Sequence, residues 1–163
     1  MFKNKPECYI LHTAASSNTA TVDDLNQYHK ERFGEQAKSL LGFYIGYHFV
    51  ITRNGSIVQT RDVYEEGIHC LGKNFSSIGI ALMGNGDIDL PTKEQETSLK
   101  HLLKRLSELT KIDWHKTFNH RVFSDKTCPG KLLSDTYAVD LMMSEYGSLM
   151  EKLILALKKY ANR

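Results

Sequence analysis

The stretch Asn119-His120-Arg121-Val122-Phe123-Ser124-Asp125-Lys126-Thr127-Cys128-Pro129-Gly130 gathers three chemically capable groups into one short segment. His120 and Cys128 are candidate metal ligands. Pro129 disfavours a helical conformation at the residue before it, so Cys128 is expected to be extended. Side chains two apart in an extended segment share a side, which puts Lys126 beside Cys128. An ammonium next to a thiol favours the thiolate, the form that binds metal, and a bound cation would push the lysine towards giving up its proton. The alternative reading is a hydrogen-bonded surface histidine and an inert buried thiol. Structural zinc motifs come as tight ligand pairs and this spacing is wider, so a zinc site needs ligands from elsewhere.

One candidate lies near the start of the chain. Cys8-Tyr9-Ile10-Leu11-His12-Thr13 is rich in strand formers and runs into the small, polar loop Ala14-Ala15-Ser16-Ser17-Asn18. His12 thus stands at the C-terminal end of a strand, where loops leave a sheet and open a crevice, although a satisfied sheet-edge histidine fits the same place. Lys116-Thr117-Phe118-Asn119 reads as a short strand that delivers His120. Two imidazoles from two strand ends are what a convergent metal site requires.

The remaining elements follow from pattern. Thr21-Val22-Asp23-Asp24 opens a helix that ends at Gly34, with Leu25, Tyr28 and Phe33 as its inward stripe and His29 on a partly solvated face. Residues 43–51 are almost continuously apolar or aromatic and predict a central strand in which Tyr47 and His48 face opposite ways. For Tyr47 taken alone, core packing is the plain reading. Arg53-Asn54-Gly55-Ser56 carries the signature of a two-residue hairpin, with Ile57-Val58-Gln59-Thr60 returning antiparallel in a mixed or largely antiparallel sheet. Residues 61–77 are too polar and glycine-rich for a core element and read as a binding loop. Ile78 to Met83 is a buried strand ending at Gly84-Asn85-Gly86-Asp87, glycines that lack the lysine and hydroxyl of a phosphate loop. Thr92-Lys93-Glu94-Gln95 is a capping box, and Leu99, Leu102, Leu103, Leu106 and Leu109 recur at helical spacing to about residue 110. Two helices are predicted after Gly130, about 131–144 and 148–160, with Gly147 as a break. The last places Leu149, Leu153, Ala156, Leu157 and Tyr160 on one face and Lys152, Lys158, Lys159 and Arg163 elsewhere. That face either packs on the domain or makes weak contact with an anionic envelope surface.

Length and composition bound the class. A chain of 163 residues fits one domain, here a core of about 8–135 and a helical extension of about 136–163. The 41% hydrophobic and 25% charged content is that of a globular protein, and 21 basic against 19 acidic residues leaves no footprint for nucleic acid. The N-terminus lacks the apolar region and cleavage site of a secretory signal, and no stretch approaches the roughly 20 apolar residues of a membrane span. Synthesis in a cytoplasm is expected, with Cys8, Cys70 and Cys128 reduced, one as a ligand and two as bystanders. Nothing demands more than a monomer.

Several pieces arrive together and in order. They are Leu11-His12-Thr13, Gly46-Tyr47-His48-Phe49, Asn54-Gly55-Ser56-Ile57 with Arg61, Gly67-Ile68-His69, Asn74 to Gly79, Asn119-His120-Arg121, and Lys126-Thr127-Cys128-Pro129-Gly130. The ordered set resembles the type 2 N-acetylmuramoyl-L-alanine amidases, zinc enzymes related to peptidoglycan recognition proteins, and within them the small phage lysozymes. The resemblance implies an α/β fold, a single-domain mixed sheet flanked by helices, with zinc on His12, His120 and Cys128 and a groove for a muramyl peptide. It implies hydrolysis of the amide between the lactyl group of N-acetylmuramic acid and L-alanine, on a cell wall reached after release or lysis. Tyr47 and Lys126 match the family's catalytic positions, and His69, Arg61 and Asn74 match groove or scaffold positions. Tyr47 and Cys128 stand where the family's recycling branch has acidic residues, which points to the phage-like branch. Three protein ligands leave a fourth zinc position for water, the arrangement of a catalytic site. Other members of the superfamily bind peptidoglycan without cutting it, and an intracellular protein partner is a third option.

Overall fold

The computed structural model describes residues 3–161, apart from the side chains of residues 148 and 155–161. Five strands make one mixed sheet: β1 (Cys8–Thr13), β2 (Phe49–Ile51), β3 (Ile57–Gln59), β4 (Ser77–Leu82) and β5 (Thr117–Asn119). Their spatial order is β3-β2-β4-β1-β5. All neighbours are parallel except β2 and β3, which pair antiparallel across the Asn54-Gly55 turn. The hairpin loop has three residues, not two. Thr52 N–H donates to the Ser56 carbonyl, Gly55 N–H to the Thr52 carbonyl, and Gly55 has φ 85°. That is a turn followed by a left-handed residue, the other common way to reverse a chain at a glycine.

Parallel strands buried on both faces need two covers, and the sequence supplies two different ones. On one face Tyr9 and Leu11 join Ile78, Ile80 and Leu82 against the leucine stripe of helix α2 (Lys93–Thr110). Leu99, Leu102, Leu103 and Leu106 are buried there, each worth about 1.5–3 kcal/mol of burial, whereas Leu109 faces solvent. Thr92 and Gln95 form the capping box, and the Gln95 amide also donates to the carbonyls of Ile51 and Met83, tying this helix to the ends of β2 and β4. On the opposite face Cys8 and Ile10 pack with Cys70 and Phe123 under the long loop. His12, in phase with Cys8 and Ile10, faces that side.

Three expectations change. Only Phe49–Ile51 of the apolar run is strand. Residues 43–47 give their backbone groups to other partners: Gly46 N–H donates to His29, Gly46 carbonyl accepts from Ile68, and Ile45 carbonyl accepts from Arg61. Helix α1 (Val22–Phe33) has the capping box at Thr21 and ends at Gly34, but its buried residues are Leu25 and His29, and Tyr28 is exposed. The C-terminal segment is one helix, α3 (Tyr137–Ala161), running through Gly147. A glycine costs a helix interior about 1 kcal/mol, which helix-forming neighbours outweigh in the absence of proline. Ala138 and Met142 anchor its first turns in the core, while Leu149 and Leu153 are exposed. The expected positions of Ala156, Leu157, Lys158, Lys159, Tyr160 and Arg163 lie outside the described residues. No described helix is long and apolar enough to cross a membrane.

Candidate metal centre and cleft

Adjacent parallel strands end side by side. Leu11 is in register with Asn119, so the next residues, His12 and His120, emerge together with ring centroids 4.5 Å apart. Cys128 reaches the same point from a turn rather than a strand, closed by Gly130 N–H donating to the Thr127 carbonyl, with a cis Cys128-Pro129 peptide. This turn is clamped from several sides. Thr13 Oγ1 donates to the Pro129 carbonyl at 2.9 Å, Arg121 N–H to the Cys128 carbonyl at 2.8 Å, and Thr127 Oγ1 to Asp87 Oδ2 at 2.9 Å. A Cβ on Gly86 would stand 2.0 Å from the Pro129 carbonyl oxygen, so this glycine serves the close approach of two backbones.

His12, His120 and Cys128 place one donor atom each within 4.8 Å of one another, and they are the group of that kind among the described residues. His12 turns Nδ1 to the Cys128 sulfur at 3.5 Å. Burial holds His12 well below the usual histidine range, helped by His69, His120 and Lys126, and burial followed by Lys126 lowers His120 as well. Both imidazoles are therefore neutral near pH 7, the form that binds a metal. The thiol departs from expectation. Burial pushes Cys128 up to about 11, outweighing the backbone contact at Thr13 and the charge of Lys126, which pull it down. Desolvation of a thiolate beats one exposed ammonium. Two neutral nitrogens and one soft sulfur suit a zinc-type ion, whose binding would displace the thiol proton.

These ligands form the floor of an open cleft of about 450 Å³ that Tyr47, His69 and Lys126 also line. The Tyr47 ring lies 4.9 Å from that of His12, and burial raises its hydroxyl above the ordinary tyrosine value, so it stays protonated. Lys126 is exposed at the rim, on the same cleft as Cys128, as its spacing predicts. Arg61 and Asn74 do not line this cleft; they border a neighbouring depression of about 360 Å³. Arg61 is buried and fully engaged, with Nε on the Ile45 carbonyl, Nη1 on Glu65, and Nη2 on the Ala37 carbonyl. Asn74 Oδ1 accepts from the N–H groups of His69 and Cys70, both at 2.8 Å, and so fixes the loop that carries His69.

His29 also lines the cleft, a residue expected to be solvated. Its Nδ1 accepts from Gly46 N–H at 3.0 Å, and burial, Arg32 and Arg61 lower it to about 4. Leu25 and His29 are four apart, so the helical stripe itself carried the signal. His48 is likewise fixed: Nδ1 accepts from Gly79 N–H, which leaves Nε2 to donate to the Glu65 carbonyl at 2.9 Å.

The sequence pattern of the N-acetylmuramoyl-L-alanine amidase family matches residues 2–131. The endolysin of Enterobacteria phage T3 is 33% identical over 130 residues, covering 76% of this chain and 80% of its own length. Peptidoglycan-recognition protein SD of Drosophila simulans is 30% identical over 140 residues, covering 78% and 69%. The N-acetylmuramoyl-L-alanine amidase LysC from Clostridium intestinale superposes with a TM-score of 0.71 at 25% identity, over 88% of this chain and 87% of that one. A mutant of Drosophila PGRP-LB in complex with tracheal cytotoxin superposes with a TM-score of 0.67 at 26% identity, over 81% and 79%. A family pattern across most of the chain, with a His-His-Cys cluster where two parallel strands end in a cleft, places this protein in the type 2 N-acetylmuramoyl-L-alanine amidase family, within the superfamily that includes the peptidoglycan recognition proteins.

Proposed function

We propose that the protein is a zinc amidase that cleaves the bond between the lactyl group of N-acetylmuramic acid and L-alanine in peptidoglycan stem peptides, in the manner of a phage endolysin. The observation that carries this reading is the convergence of His12, His120 and Cys128 on the floor of a cleft that Tyr47 and Lys126 share. A zinc ion on those three donors would keep a position for water, bring that water's pKa to about 7 and polarise the amide carbonyl.

The chain's own groups account for the rest of the chemistry. Cys128 enters as a thiolate, which lowers the positive charge of the centre, so a separate cation is useful as the carbonyl oxygen turns negative. Lys126, at the rim of the same cleft, supplies that charge to the oxyanion and a proton to the departing L-alanine nitrogen. Tyr47, kept protonated by burial, donates its hydroxyl hydrogen to the carbonyl oxygen and orients it. The open cleft admits an extended peptide from solvent.

The similarity to peptidoglycan-recognition protein SD favours one other reading, a module that binds the wall without cutting it. A synthetic N-acetylmuramoyl-L-alanyl peptide separates the two. Release of a peptide with a free L-alanine amine, dependent on added zinc, is the expected result. Binding of the same peptide by zinc-loaded protein with no release would make the chain a recognition module.

A further inference from the structure

His69 sits behind the proposed metal centre, and its surroundings specify both where its ring lies and which nitrogen carries hydrogen. The slot is made by absent side chains. A Cβ on Gly79 would stand 2.6 Å from His69 Cγ, and one on Gly67 would stand 2.4 Å from His69 Cδ2. Gly79 lies in β4 opposite Ile10, on the sheet face that carries His12, so the ring occupies space that any other residue of that strand would fill. His48 closes the far side, edge-on with centroids 5.6 Å apart.

The hydrogen-bond partners favour one direction. The Lys73 carbonyl can only accept, so Ser77 Oγ donates to it, at 2.7 Å. That leaves a Ser77 lone pair facing His69 Nε2 at 3.5 Å, a long contact that favours the hydrogen on Nε2. A neutral His69 then has a bare Nδ1, which lies 3.0 Å from His12 Nε2. In that tautomer His12 Nε2 donates across that distance. The His12 hydrogen is thereby held on Nε2, and the Nδ1 lone pair is left free, 3.5 Å from the Cys128 sulfur and directed into the ligand cluster.

We infer that His69 is a positioning residue: through the chain from the Lys73 carbonyl by way of Ser77, it fixes His12 in the tautomer that offers Nδ1 to the metal. The role in metal binding rests on the zinc reading above. The tautomer assignment is a property of the metal-free chain as well. Partners of this kind orient ligating histidines and make them better donors, and their loss typically costs 10–100-fold in metal affinity.

The test has two arms. Ring ¹⁵N chemical shifts of the zinc-free protein at pH 7.5 should show His12 and His69 both protonated on Nε2 and bare on Nδ1. A His69 carrying its hydrogen on Nδ1 would overturn the inference whether or not zinc binds. In the second arm zinc affinity is measured by competition with a chromophoric chelator. His69→Leu, which cannot accept, should weaken binding by about 10–100-fold, and His69→Asn, whose Oδ1 stands near the former Nδ1, should recover most of that loss. Equal affinity for wild type and His69→Leu, or no recovery in His69→Asn, would contradict the assignment. Melting of the zinc-free variants shows that each is folded before its affinity is read. A wild-type chain that takes up no zinc counts against the metal reading, while the ¹⁵N arm still decides the direction of the His12 to His69 bond.

Discussion

The two walls of the cleft are built differently. The ligand corner of His12, His120 and Cys128 is set by strand ends and a clamped turn, with His69 behind it and each imidazole held neutral. The rim, with Lys126, Tyr28 and Arg32, is exposed, and its groups extend from the loop that carries Cys128 and from a helix surface. Rigidity belongs where a metal needs fixed geometry, and freedom where a polymer has to enter and leave. The two regions should therefore fail in different ways.

Cys128→Ser strikes the corner and carries the largest expected effect. The variant should lose zinc and activity together, because the soft anionic donor is gone. Retention of stoichiometric zinc at full turnover would remove Cys128 from the ligand set. Lys126→Ala strikes the rim: turnover should fall by about 10²–10³-fold while bound zinc, measured by metal analysis, stays at the wild-type level. Loss of zinc in that variant would mean that the two walls are not separable.

A change of pH acts through the buried imidazoles. Burial holds His29 and His48 near 4, below the value near 6.5 expected in the unfolded chain. Between those values the unfolded chain binds more protons, so stability is present above about pH 6.5 and is lost as pH falls towards 4. Going from pH 7.5 to 5 should cost the zinc-free protein about 2 kcal/mol for each of these histidines. Urea midpoints at the two pH values report it, and equal midpoints would show that these rings are not buried neutral. The smallest effect is expected from Tyr47→Phe. One hydrogen bond to the substrate is worth about tenfold in turnover, with zinc binding and urea midpoint unchanged. Wild-type turnover would give Tyr47 a packing role only.

The same contrast explains what was legible in the sequence. β1, the β2–β3 hairpin and α2 declare themselves locally, through strand formers, Asn54-Gly55 and a capping box with a leucine stripe. His12 and His120 were legible as strand ends and Cys128 as a candidate ligand, but their joining into one set came from the family resemblance, because the parallel pairing of β1 with β5 and the turn at Cys128 are not local signals. The Phe43–Tyr47 segment looked like strand because its residues are apolar, yet the backbone groups of Ile45 and Gly46 bond to His29, Arg61 and Ile68, partners set by tertiary packing. The Cys128 thiol was expected to ionise beside Lys126, but the depth of its burial, which no spacing reveals, reverses the balance. His29 was legible at four-residue spacing from Leu25, and its charged neighbours along the chain obscured it.

The central claim is that the rigid corner holds zinc so that the rim can cleave the lactyl to L-alanine amide. Mass spectrometry of purified sacculi digested with the protein, with and without a zinc chelator, tests it most directly. The account predicts new stem peptides with free N-terminal L-alanine, abolished by chelator and restored by zinc. Tight binding to sacculi by zinc-loaded protein, with no such peptides formed, would contradict it.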